Sequence, residues 1–180
     1  MSEPKTDPAP YNPSHPDLFK VHFQEGDYSS SLRAARSFKA GENICHIGGY
    51  PVTSKTWRTV QSGIESHFEL DSDLVYVNHS CEPNVIFDIS SENKEDWNVR
   101  AARDISEGTP LEYFYPSTEW DMDRKFICNC KTKTCIGKVE GARYVTIKEL
   151  EARGFINRHI IGLAYSQDAM DNTRDPLRIR

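Results

Sequence analysis

The chain has 180 residues, about one domain's worth, with 37% hydrophobic residues and a formal net charge of −5. No apolar run reaches the ~18 residues that cross a bilayer, and no basic-then-apolar leader opens the chain. The mild acidity lacks the basic surface that sequence-independent nucleic-acid binding requires. These features point to a soluble intracellular protein, in nucleus or cytoplasm, without direct nucleic-acid or membrane contacts.

Residues 1–17 hold five prolines and almost no aliphatic side chains, the composition of an extended or disordered tail. Leu18 to Phe23 alternates and is rich in β-formers, so it reads as the first strand. Further strand candidates are Leu32–Ser37, Ile44–Ile47, Arg58–Gln61, His67–Leu70, Asn84–Ile89, Trp97–Ala102 and Leu111–Tyr115. Turns fall at Lys39 to Glu42 and at Gly48-Gly49. Many short strands divided by polar turns predict a mainly β fold of small sheets with a few short helices, not βαβ units. Thr146 and Glu149 form a capping-box pattern for a helix running to Arg153 and stopping at Gly154. A second short helix is predicted over about 157–165, with loose chain from Ser166 onward.

Five cysteines do not make an even disulfide framework, and Cys128, Cys130 and Cys135 crowd into eight residues. Cysteines separated by one residue pair poorly with each other, so in a reducing compartment the cluster reads as thiolate ligands for zinc. Unligated thiols on a loop are the plainer alternative. Cys45 stands apart and reads as a buried free thiol.

Three segments carry the chemistry. They are Asn78-His79-Ser80-Cys81-Glu82-Pro83-Asn84, then Gly108 to Tyr115 with Leu111 inside it, then the cysteine cluster extended by Gly137. In this order they resemble the signature loop, the active-site tyrosine strand and the post-SET segment of the SET-domain methyltransferases. The resemblance covers roughly residues 18–140. It implies a fold of small curled sheets with a pseudoknot, divided as tail 1–17, SET domain 18–123, zinc segment 124–140 and C-terminal helical extension 141–180. It also implies S-adenosylmethionine as methyl donor. Asn78 and His79 would hold that cofactor, with Ser29, Ser31 and Leu32 in place of the family's glycine-rich segment. Phe126 or Ile127 would pack on the adenine, with ordinary core packing as the alternative, and Tyr115 would line the methyl as the catalytic residue. Tyr113 would tune the methylation state, and Phe68, Tyr76 and Tyr113 would line the acceptor channel. Cys81 would supply the fourth sulfur of a single structural zinc. Four thiolates close a tetrahedral shell and leave no open position, so that metal would staple the segment rather than catalyse.

Three departures bear on the acceptor. Ser29-Ser30-Ser31 replaces the usual glycines, Phe114 replaces the usual Asp, and only about twenty residues separate Gly48-Gly49 from His67. A protein lysine, on a histone or another protein, is the family's acceptor. It must lose a proton from a group of reference pKa about 10.4. A small carboxylic acid is already ionised, and a reduced groove would suit it. A second copy of the chain would complete the groove as a homodimer. A non-catalytic SET module that binds a partner is the remaining alternative.

Overall fold

The computed structural model describes residues 11–26 and 29–174, with no side-chain account from residue 171 onward. The chain builds β1 (Phe19–His22), β2 (Ser31–Ala34), β3 (Asn43–His46), β4 (Gly49–Val52), β5 (Thr59–Gln61) and β6 (His67–Leu70). After them come β7 (Asn78–His79), β8 (Val85–Asp88), β9 (Asn98–Ala101), β10 (Glu112–Tyr113), β11 (Phe126–Ile127) and β12 (Lys138–Val139). Two helices follow, α1 (Ile147–Glu151) and α2 (Arg158–Arg174). The strands form five small sheets: β1-β2, β3-β9-β8, β4-β6-β5, β7-β10 and β11-β12.

Alternation explains the strand faces. Along β2, Leu32 and Ala34 point inward while Ser31 and Arg33 face out. On β8, Val85 and Phe87 are buried while Ile86 and Asp88 are only half-buried. These inward positions, with Phe19, Phe38, Leu74, Val99 and Leu111, make one core shared by the sheets. A second, smaller cluster of Phe114, Ala142, Leu150 and Ile160 gathers under the C-terminal helices, with Cys81 in it.

Several expectations shift. Gly48-Gly49 reads as a turn, yet Gly49 opens β4. Pro51 disguises this strand, and it is tolerated because β4 lies at the edge of its sheet. The capping box at Thr146 and Glu149 forms in both directions, and the helix ends at Glu151. The chain from Ser166 is not loose, since α2 continues to Arg174. A polar composition there describes a helix solvated on most sides, with Ser166 Oγ donating to Gly162 O and Gln167 Nε2 to Arg143 O. Of the proline-rich tail, residues 1–10 lie outside the described residues. From Tyr11 the segment is docked: Tyr11 Oη donates to Asp73 Oδ2 at 2.7 Å, and Asp73 N donates to Ser14 Oγ at 2.9 Å.

Two features position the site. Strands β7 and β10 pair in parallel, Asn78 opposite Glu112 and His79 opposite Tyr113, which lays the signature loop beside the tyrosine strand. Asn157, fully buried, then ties the C-terminal chain to both sides of that junction. Its Oδ1 accepts from Ile89 N and Ser90 Oγ. Its Nδ2 lies 2.9 Å from Phe87 O and from Ser117 O.

Candidate active site and cysteine cluster

A cleft of about 990 Å³ opens where the small sheets meet, and Asn78, His79, Tyr113 and Tyr115 all line it. The parallel β7-β10 pairing makes this convergence, because it sets consecutive residues of two distant segments side by side. Tyr115 Oη donates to Val77 O at 3.0 Å, fixing the phenol across the cleft floor. Tyr115 N donates to His79 Nδ1 at 3.2 Å. The Tyr113 ring stacks on Phe87 with centroids 4.2 Å apart and tilts against Tyr115 at 4.7 Å. Both phenols are held above their ordinary pKa, first by burial and then by neighbouring charges, Glu119 among them, so both stay neutral. His79 is pushed down to about 4, by burial and then by the Arg153 charge, and is neutral as well.

The other expected cofactor residues divide. Asn78 Nδ2 donates to Ser30 O at 3.0 Å, so the signature loop meets the triple serine through its middle member. Ser30 and Gly26 line the cleft. Ser29 Oγ is turned back onto the carbonyls of Glu25 and Gly26, at 2.8 and 2.7 Å. Ser31 pairs with His22 in the first sheet, and Leu32 is fully buried in the core. Their side chains therefore stand away from the cleft. Phe126 lines the cleft, is 37% exposed, and presents a ring edge-on to His79 and Tyr115.

The acceptor residues divide too. Tyr76 lines the cleft with its ring against Phe23. Phe68 is buried against Trp97, with centroids 5.0 Å apart, and belongs to the core.

Sequence reading passed over one residue of the site. Glu119 lines the same cleft beside Tyr113 and Tyr115 and is only 7% exposed. Its Oε1 accepts from Gln61 N at 2.9 Å and Thr118 Oγ1 at 3.2 Å. Burial raises its carboxyl to about 7. The only sequence signal is a carboxylate four residues after Tyr115 and next to Trp120, which nothing separates from a surface acid.

The cysteines converge as expected. Cys81, Cys128, Cys130 and Cys135 place their sulfurs within 4.8 Å of one another. Tetrahedral Zn–S bonds of about 2.3 Å require S···S separations near 3.8 Å, and Cys81 Sγ to Cys128 Sγ measures 3.8 Å. Backbone N–H groups of Ile136 and Gly137 donate to Cys81 Sγ and Cys135 Sγ at 3.4 Å, as thiolate ligands favour. The donor set fits a closed metal site. Cys45 lies apart, its thiol pushed up to about 12 by burial.

Comparison with known proteins agrees with this geometry. A family profile described as the SET domain matches residues 29–116. Methyltransferase flvH of Aspergillus flavus is 38% identical over 151 residues, covering 82% of this chain and 82% of its own length. The chain belongs to the SET-domain methyltransferases. This SET protein is therefore a methyltransferase. It is also similar to histone-lysine N-methyltransferase ash1 of Drosophila melanogaster, 27% identical over 155 residues, but spans only 7% of that protein. Among solved structures, the methyltransferase domain of human histone-lysine N-methyltransferase SETMAR superposes with a TM-score of 0.52 at 18% identity. That match covers 68% of this chain and 58% of the other. KRYPTONITE, solved in complex with mCHG DNA and SAH, gives 0.51 at 20% identity over 67% of this chain and 29% of that one. Among the described residues no helix is long and apolar enough to cross a membrane.

Proposed function

We propose that this SET-domain enzyme uses S-adenosylmethionine to methylate the ε-amine of a protein lysine, inside the cell, in nucleus or cytoplasm. The observation that carries the reading is the single cleft in which Asn78, His79, Tyr113 and Tyr115 meet. Two curated relatives named as histone-lysine methyltransferases support the acceptor class. The cofactor supplies a sulfonium methyl, whose carbon bonds to the acceptor's lone pair as the C–S pair returns to sulfur.

This chain's residues do the aligning, which is the main task in an in-line displacement. Asn78 and Ser30, joined by a hydrogen bond at the cleft, would hold the cofactor's amino-acid end, and His79 and Phe126 would lie beside its adenine. Tyr115, anchored on Val77 O, orients the acceptor, while Tyr113 narrows the channel next to it. Cys81, Cys128, Cys130 and Cys135 hold one structural zinc, which keeps β11 and Phe126 folded over the cleft. Thiolates persist in this form in a reducing compartment.

The reading is tested with methyl-labelled S-adenosylmethionine offered against histones and a panel of small carboxylic acids. Hydroxylamine-stable label in protein supports lysine. A base-labile, extractable product means an ester-forming enzyme. Absence of cofactor binding by calorimetry would mean a non-catalytic module.

A further inference from the structure

We propose that Glu119 is the acceptor-recognition carboxylate of this enzyme: it seats an aliphatic ammonium group in the cleft and takes its proton before methyl transfer. This rests on the methyltransferase reading above and narrows it to amine acceptors, large or small.

Glu119 sits in the wall of the cleft it shares with both tyrosines, and its charge is close enough to raise both phenols. The carboxylate is used on one side only. Oε1 takes the Gln61 amide and the Thr118 hydroxyl. Among the described residues no hydrogen bond reaches Oε2. That oxygen is open to the cleft, where an entering cation or donor can meet it in a largely desolvated wall. A substrate ammonium supplies both. A carboxylic acid acceptor would bring a second negative charge to the same wall and be repelled.

The proton count is simple. The ammonium nitrogen gives one proton to Glu119 Oε2 and becomes a neutral amine with a free lone pair. That pair forms the bond to the methyl carbon as the methyl–sulfur bond breaks and its pair stays on the donor's sulfur, which becomes a neutral thioether. The nitrogen regains positive charge, and Glu119 later returns its proton to water. A carboxyl held at about 7 is ionised enough to bind a cation and basic enough to accept a proton.

The groups around it do not share this range. Tyr113 and Tyr115 are raised and neutral. His67, which pairs with Gln61 across the sheet, and His159, whose Nε2 meets Thr118 O, are both lowered by burial. Lys55 is the remaining charge acting on the carboxyl.

The test is calorimetric binding of hexylamine and of hexanoate to the protein saturated with S-adenosylhomocysteine. We expect hexylamine to bind and hexanoate not to, with amine affinity rising as pH passes through about 7. Glu119→Gln keeps an amide oxygen for Gln61 N and Thr118 Oγ1. It should lose on the order of tenfold or more in amine affinity and flatten the pH profile, with S-adenosylhomocysteine affinity unchanged. Hexanoate binding at least as tight as hexylamine in the wild type, or an amine affinity indifferent to pH, overturns the proposal even if the variant fails to fold. Failure of S-adenosylhomocysteine to bind the wild type would instead sink the methyltransferase reading on which it stands.

Discussion

His79 accepts the Tyr115 amide on Nδ1 at 3.2 Å and turns Nε2 toward Cys81 Sγ at 3.4 Å. Because Nδ1 is an acceptor, the neutral ring carries its proton on Nε2, pointing at the sulfur. One imidazole thus joins the backbone of the active-site tyrosine to the cysteine cluster. The tyrosine's placement and the integrity of the cluster are parts of one device.

Tyr115→Phe should lower methyl transfer by on the order of 10²-fold, since the phenol's anchor on Val77 O sets its alignment. Cofactor affinity should change far less, because the ring remains. Initial rates with labelled donor, set beside calorimetric binding, check both halves.

The metal site should contain one zinc per chain. Cys135→Ser should abolish it, and a chelator should lower the melting temperature of the wild type, because metal affinity is folding energy for the cysteine-bearing segment. Cys45→Ser should leave the stoichiometry intact, its thiol lying outside the cluster. Elemental analysis with thermal unfolding reads all three.

Asn157→Ala should cost about 3 kcal/mol in urea unfolding. The loss removes partners of Ile89 N, Ser90 Oγ, Phe87 O and Ser117 O in a fully buried site.

Glu119 also predicts a pH dependence of stability. Its carboxyl rises from 4.5 to about 7 on folding, so the folded state holds the proton more tightly than the unfolded one. Its contribution is fully present below pH 4.5 and is lost as pH climbs through about 7. Across that window wild type should lose about 3 kcal/mol relative to Glu119→Gln. Parallel denaturant titrations at pH 4.5 and above 7 measure the difference, and a constant gap between the proteins would refute it.

Much of the fold was legible in local pattern. Leu32 and Ala34 on β2, or Val85 and Phe87 on β8, alternate as half-buried strands do, and Thr146 with Glu149 announces its helix start. The cysteine spacing was legible because metal chemistry restricts donor type and distance. Other features escaped. Gly49–Val52 was hidden by a proline that only an edge strand permits. Phe68 stands in an acceptor-lining alignment but packs on Trp97, a choice made by tertiary contacts. Glu119 and Asn157 carry no signature, because burial of a polar residue is decided by distant chain segments, here Gln61 and Phe87.

The SET-domain profile ends at residue 116, but the machine does not. Asn157 clamps the strand that follows the signature loop to the turn after Tyr115. Glu119, three of the four sulfurs and Phe126 also lie past that limit. A fragment trimmed to the profile-matched segment would discard the wall, the staple and the clamp that complete the site. Here the border of the profile and the border of the mechanics differ, and engineering should respect the second.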